Sequence, residues 1–271
     1  MDHISEHIRV RRSIRTFDGR ALDENIKKDI LAFAEAVENP FNIPISFKLL
    51  DAKEHGLTSP VINGTDLYIA GKIQCVPHAN VAFGYAFEAM ILYAQSLRIG
   101  TVWIGGTMNR PAFEKAMELD DNEMMPCATP LGYPAKKMSL KESMMRKTIK
   151  ADVRDSFEEL FFLDSLNTPL TEELAGRFLQ PLEMVRLAPS AVNKQPWRVV
   201  IKDNAAHFYL QRSKGFGHDL PYDMQMIDIG IAMCHFDLAA KEQGIQTEFV
   251  WNDPKLSGSS EPEYIGTYIV R

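Results

Sequence analysis

The chain has 271 residues, 45% of them hydrophobic, and a formal net charge of −6. That length supports a large core in one or two domains, and the mild acidity excludes a general attraction to nucleic acid or to an anionic membrane surface. Cys75, Cys127 and Cys234 lack metal-ligand spacing and fit a reducing compartment, each thiol serving as a small buried hydrophobe. Asp2, His3 and Glu6 stand where a secretory signal needs a basic start and an apolar run. No stretch has the apolar length of a bilayer span. The expectation is a soluble, cytoplasmic protein.

In chain order, residues 3–9 read as a short helix leading into the basic run Arg11-Arg12-Ser13-Ile14-Arg15. Residues 22–38 form an amphipathic helix with Leu22, Ile26, Ile30 and Phe33 on one stripe, ended by Pro40 and Pro44. Strands are expected at 45–50 and 67–70. The most apolar helical stretch, 79–97, sets Ala79, Ala82, Ala86 and Ala89 among Phe83, Phe87, Met90 and Tyr93. Small residues let backbones approach, so this is the central packing helix, with Gly100 as its C-cap. Thr101 to Ile104 is a short buried strand broken by Gly105-Gly106. A helix follows over 110–118 with Pro111 in its first turn, then a strand and turn over 128–134.

Residues 136–168 hold Lys136, Lys137, Lys141, Arg146, Lys147 and Lys150, followed by an acidic-aromatic stretch. They read as a crossover that wraps two halves together. Beyond it come a helix through Leu182 and Val185 and a strand at 198–202, paired with 206–210 across Asp203-Asn204. A second central helix spans 224–243. A Ser/Gly-rich loop at 254–262 and a closing strand at 263–271 complete the chain.

The two halves look like worn copies of each other. The order of helix, Pro-containing loop and strand at 22–50 recurs at 170–201, and Ala86–Gly100 has its counterpart in Gly230–Gly244. The chemistry is divided between them. The arginine cluster precedes only the first copy. The loop Pro189-Ser190-Ala191-Val192-Asn193-Lys194-Gln195-Pro196-Trp197 belongs to the second, and Asn39-Pro40 is its remnant in the first. Duplication followed by division of labour predicts a pseudo-dimer with one composite site, its halves spanning residues 1–150 and 151–271. Helices mixed with short strands fit an α+β or α/β sandwich.

Arg11, Arg12 and Arg15 with Ser13 put three cations and a hydroxyl within five residues. Arginine offers planar forks of donors that suit phosphate oxygens. If the segment is helical, Arg11 and Arg15 share a face; an anion between them would offset their repulsion. The same run also reads as a solvated basic surface. In the second segment, Ser190, Asn193 and Gln195 add donors and acceptors to the free amides of a loop stiffened by Pro189 and Pro196. That combination suits the polar edge of a heteroaromatic ring, or an ordinary rigid loop.

Taken together, Arg11-Arg12-Ser13-Ile14-Arg15-Thr16-Phe17 and Ala188 through Trp197 resemble the two signatures of the flavin-dependent nitroreductase family, in its longer, internally duplicated branch. The resemblance implies an α+β, nitroreductase-like three-layer sandwich, a pseudo-dimer of two related halves. It implies that Arg11, Ser13 and Arg15 grip the phosphate and ribityl chain of FMN, with Arg12 beside them. Pro189, Ser190, Ala191 and Asn193 would come to the same FMN from the partner side, with Gln195 and Trp197 supporting the fold. Trp103, Ile104, Gly105 and Gly106 fall where the family presents backbone amides near the reactive ring edge. Lys136 or Lys137 falls where it adds basic groups near the phosphate. One FMN per chain is implied, because neither Asn39-Pro40-Phe41-Asn42 nor the stretch before Leu170 supplies a second set of grips.

The chain has no phosphate-binding glycine motif and no nucleophile–base pair. The resemblance implies that flavin N5 is the reactive centre. NADH or NADPH would be the electron donor, and a small electron-poor molecule such as a nitroaromatic, quinone or enone the acceptor, with backbone amides stabilising charge on the reduced ring. The alternatives are an FMN reductase or dehydrogenase with a non-nitro substrate, a silent flavin-binding protein, and a flavin-free structural protein. Phe41 or residues 216–222 are candidates for the substrate side, His78 and His218 could face a ligand, and His235 reads as core. A monomer or weak homo-dimer follows if the fused halves bury the usual interface. Neither a nucleic-acid nor a membrane partner is expected.

Overall fold

The computed structural model describes residues 2–215, 220–256 and 262–271. The chain divides into two compact units, Val10–Ala151 and a second made of Asp2–Arg9 with Asp152–Arg271. The first helix, α1 (Ile4–Val10), thus precedes the arginines in sequence but packs with the second unit. There Ser5 Oγ donates to Glu242 and accepts from Gln180 Nε2 at 2.9 Å.

In the first unit, α2 (Glu24–Ala36) is started by Asp23, whose carboxylate accepts from the Asn25 amide, the usual way to satisfy an orphan donor of the first turn. β1 (Ile45–Asp51), the single turn α3 (Ala52–His55) and β2 (Leu67–Gln74) follow. Next come α4 (Ala79–Ser96), α5 (Arg110–Ala116), β3 (Glu123–Met124), β4 (Ala128–Pro130) and α6 (Leu140–Thr148). β2 pairs antiparallel with β1, β3 and β4. Bridges at Gly100–Gly132 and Ile104–Ala128 lay residues 100–104 along the far side of β4. α4 is apolar nearly all round, and Phe83, Phe87, Met90, Ile91 and Leu92 are fully buried. Such a helix is held by packing rather than by an amphipathic stripe.

The second unit contains α7 (Phe157–Leu160), β5 (Phe161–Leu163), α8 (Leu179–Arg186), β6 (Trp197–Lys202), β7 (Ala205–Leu210), α9 (Met224–Glu242), β8 (Thr247–Val250) and β9 (Glu263–Val270). Its sheet runs β5-β6-β7-β9-β8, parallel only between β5 and β6. β6 and β7 form the hairpin expected across Asp203-Asn204, both of which take positive φ, as tight hairpin turns require. Gly266 on β9 lies under Phe249 of β8, where a Cβ would meet the ring at 2.5 Å.

Each unit follows one path: a helix, a hairpin of two strands, a long buried helix, an edge segment, and a strand that inserts between that edge and the hairpin. In the first unit these are α2, β1–β2, α4, residues 100–104 and β4. In the second they are α8, β6–β7, α9, β8 and β9. α2 packs on α4 and α8 on α9.

Two local expectations change. α4 stops at Ser96, and it is Arg98, not Gly100, that takes the left-handed conformation after it (φ 61°). Gly100 has a different task, leaving room for Ile14, which a Cβ would meet at 3.0 Å. Residues 140–148 of the basic crossover are a regular helix of the first unit, capped by Ser139, whose Oγ accepts from the Glu142 amide. Among the described residues, no helix is long and apolar enough to cross a membrane.

Candidate functional site

The arginine run is extended, not helical. The Ile14 amide donates to Thr101 O and the Phe17 amide to Asn63 O, each at 2.8 Å. Phe17 is buried against Gly132, where a Cβ would come within 2.8 Å of its ring. Alternation along an extended chain sends Arg11, Ser13 and Arg15 to one side and Arg12, Ile14 and Thr16 to the other. Arg11 and Arg15 therefore share a side through the period of a strand. On the other side, Arg12, Ile14 and Thr16 line a cleft of about 360 Å³ together with Lys136, Lys137 and Glu142. Arg12, Lys136 and Lys137 are exposed at its rim.

The Arg11 side chain is only 5% exposed, and its Nε lies 3.7 Å from the fully buried carboxylate of Glu88 on α4. The same carboxylate accepts from Trp103 Nε1 at 2.8 Å. Burial pushes the Arg11 guanidinium below its ordinary value, Glu88 opposes that, and the Arg146 charge adds to it. Arg15 is lowered in the same way, with Glu142 opposing and Arg146 adding. Glu142 accepts from the Arg15 amide at 3.3 Å and from Thr16 Oγ1 at 2.7 Å, tying α6 to the arginine segment. Arg11 Nη1 and Arg15 Nη1 are buried with no hydrogen-bond partner among the described residues. A buried guanidinium nitrogen left without an acceptor is costly, and a phosphate oxygen is a ligand that would satisfy it. These residues fit a phosphorylated cofactor such as FMN.

At Trp103 to Gly106 the structure corrects one expectation. The Ile104 amide is already bonded to Ala128 O at 2.9 Å, so it has no donor to offer a ring. Gly105 and Gly106 follow the bridge, and the Gly105 carbonyl is fixed by Arg110 Nη2 at 2.8 Å. Arg110 also donates to the carbonyls of Met125 (2.6 Å) and Pro126 (3.0 Å). Nothing in the sequence around Arg110 marks it for this role.

In the second unit, residues 189–196 form a tight turn with Val192, Asn193 and Gln195 all at positive φ. A β-branched residue there is strained. The turn is held from inside. Ser190 Oγ accepts from the Gln195 amide at 2.9 Å, and the buried Gln195 side chain bonds Asp155. Asn193 donates to Val153 O at 2.9 Å and accepts from Arg154. Both ends of its carboxamide thus bond within the unit. The Ala191 amide donates to Asp228 of α9 at 3.0 and 3.2 Å to its two oxygens. Asp228 is 3% exposed. Burial drives its pKa well above the usual carboxylate value, Asp223 adds to that, and the Ala191 amide opposes it. Trp197 is fully buried, as its supporting role requires.

Of the histidines, His235 is buried and bonded to Met184 O at 2.8 Å, a core residue. His78, at positive φ, stacks on Phe41 at 5.5 Å between ring centroids. Residues 216–219, including Phe216 and His218, lie outside the described residues, as does 257–261 of the Ser/Gly-rich loop. Among the described residues no group of acidic, His and Cys side chains could hold a metal ion.

The family model described as "Putative TM nitroreductase" matches residues 3–240. A "putative nitroreductase" from Thermotoga maritima is 21% identical, with a TM-score of 0.64 over 100% of this chain and 93% of its own, and it shares the fold. A "Putative NADH dehydrogenase/NAD(P)H nitroreductase" from Bacteroides thetaiotaomicron is 18% identical, covering 51% of this chain and 90% of its own at a TM-score of 0.44. A protein of the same description from Parabacteroides distasonis is 19% identical, with 51% and 91% covered and a TM-score of 0.44. No curated protein matches the sequence.

Proposed function

The chain belongs to the TM nitroreductase family, whose model spans residues 3–240, and is an oxidoreductase; from that premise we propose that it binds one FMN and uses NADH or NADPH to reduce small electron-poor acceptors, nitroaromatics and quinones among them. The observation that carries the reading is the pair of buried, unpartnered nitrogens Arg11 Nη1 and Arg15 Nη1. Two such donors together call for an anion.

When bound, FMN supplies two-electron chemistry at its ring. The protein's own residues hold and exclude. Arg11 and Arg15 take the phosphate oxygens, and Ser13 lies on the same side of the segment. Arg12, Lys136 and Lys137 raise the local positive potential around the neighbouring cleft and draw anionic nucleotides toward it. The Gly105 and Gly106 amides, on a segment fixed by Arg110, serve as donors to the ring edge. Pro189, Ser190 and Ala191, on a turn too strained to be a mere connector, supply the second arm. Asn193 stiffens that turn rather than touching the ring. The common path of the two units supports an origin by duplication, with the arginine arm kept in one copy and the loop arm in the other.

The purified protein should be yellow, release FMN on denaturation at one per chain, and oxidise NADH or NADPH with menadione or a nitrofuran. A colourless protein that takes up no added FMN sinks the reading. A flavin ratio near two per chain sinks the single-site assignment. Flavin without turnover leaves a binding protein.

A further inference from the structure

Each long buried helix carries one carboxylate that reaches the arm its own unit retained. Glu88 is the only Asp, Glu, Lys or Arg in α4, and it meets Arg11 and Trp103. Asp228 of α9 accepts the Ala191 amide at the head of the strained turn. We infer that Glu88 and Asp228 are positioning residues of the FMN site, Glu88 for the arginine arm and its neighbouring strand, Asp228 for the Pro189–Ala191 arm. The inference rests on the flavin reading above.

The internal comparison of the two helices supports it. Aligning Ala86–Gly100 with Gly230–Gly244 puts Ala232 opposite Glu88 and Gly84 opposite Asp228. The second unit lacks the arginine run and has no carboxylate where Glu88 would serve it. The first unit has only the remnant loop and has no side chain at all where Asp228 would serve it. Two positions on one helical framework each carry an acid only where an arm exists to be held. The other buried acid of α9, Asp237, is held by Lys241 and Thr247; a buried carboxylate is unfavourable unless such partners need it, and for Glu88 and Asp228 those partners lie on the arms.

The contacts say what each acid does. Glu88 lies 3.7 Å from Arg11 Nε without hydrogen-bonding it, so it balances the buried guanidinium charge and leaves Nη1 available to an anion. Its bond to Trp103 fixes the start of the segment that ends in Gly105 and Gly106. Asp228 satisfies an amide that would otherwise be an orphan donor, in a turn that persists only if over-determined.

The test is flavin binding by fluorescence titration of apo-protein, with FMN and riboflavin compared so that the phosphate contribution is read separately. In Glu88→Gln, the amide can still accept from Trp103 but cannot pair with Arg11. The preference for FMN over riboflavin should fall about tenfold with riboflavin affinity unchanged, the loss expected when a buried guanidinium loses its counter-charge. Glu88→Ala should weaken both ligands. Asp228→Ala should weaken FMN about tenfold, and Asp228→Asn, which keeps an acceptor, should restore it to within about threefold. Ala191→Pro deletes the N–H without touching the helix core and should reproduce Asp228→Ala. If the alanine variants do not fold, Glu88→Gln and Ala191→Pro decide alone. Unchanged binding of both ligands in folded variants overturns the inference and leaves the flavin reading intact. A wild-type chain that binds no FMN overturns the flavin reading itself.

Discussion

The loop after α2 and the loop after α8 occupy the same place in the path of their units, and they solve the same problem in opposite ways. In the first unit, Asn39 is buried and closes its loop on itself. Its Nδ2 donates to Ile43 O at 2.6 Å and its Oδ1 accepts from the Phe41 amide at 3.1 Å. The left-handed position falls on Asn42, a residue that tolerates it. In the second unit, three residues stand at positive φ, one of them Val192, and the Ala191 amide reaches outside the loop to Asp228. The first loop is satisfied locally, by its own Asn39. A loop that retains strain and borrows a buried acid is being held in a shape for something else.

That contrast can be broken most forcefully at the arginine arm. If Arg11 and Arg15 hold the phosphate as proposed, replacing both by alanine removes two charge-assisted contacts, and FMN affinity should fall about a hundredfold or more. Riboflavin affinity should barely move. Equal losses for the two ligands would mean that the arginines hold the fold and not the phosphate. Arg110→Ala comes next. It strips three carbonyls, those of Gly105, Met125 and Pro126, of a common donor. Equilibrium unfolding in urea should show a loss of about 2–3 kcal/mol, with Arg110→Lys recovering only part, because an ammonium lacks the planar fork.

The sequence revealed the arms more readily than what holds them. Apolar periodicity located α2, α4 and α9, and alternating apolar runs bounded by Asp203-Asn204 located the β6–β7 hairpin. β5 was hidden because it is three residues long and pairs in parallel with a distant strand. No local pattern encodes such pairing. α6 was hidden by its charges, since a basic stretch with Leu140 and Met144 exposed looks like a linker. Arg11-Arg12-Ser13-Ile14-Arg15 stood out as a candidate grip, but its conformation did not: an i, i+4 pair and an alternating pair fall on the same residues. Glu88 carried one usable signal, a lone acid inside an apolar helix, whereas Asp228 shares its helix with a second buried acid, Asp237, and was less marked. Arg110 and Glu142 carried none, because charges near a helix start are ordinary.

Asp228 also tests the contrast through pH. Its pKa in the folded chain is raised above the ordinary 3.8, chiefly by burial. The folded state therefore holds this proton more tightly than the unfolded one. The stability that follows is fully present below the unfolded value and is lost as pH rises through the folded one. The unfolding free energy of wild type minus that of Asp228→Asn should decline as pH increases from about 4 toward neutrality. A flat difference would mean that Asp228 ionises normally and that the Ala191 amide bonds a carboxylate rather than a neutral acid.

The smallest effect expected is at Val192, which is 55% exposed and has φ 43°. Little packing is lost on truncation there, so the balance is set by the backbone. A β-branched residue in the left-handed region is disfavoured by about 1–2 kcal/mol, and glycine removes that at an entropic cost of about 0.5–1 kcal/mol in the unfolded chain. Val192→Gly should raise stability by about 0.5 kcal/mol, seen as a higher urea midpoint at unchanged slope. The corresponding change in the relaxed loop, Asn42→Gly, starts from a residue that already tolerates its conformation and should give no gain. If both substitutions behave alike, the second loop stores no strain, and its left-handed residues say nothing about a ligand. If only Val192→Gly stabilises and FMN affinity drops with it, the strain belongs to the binding conformation, and the two loops differ because only one still has a cofactor to hold.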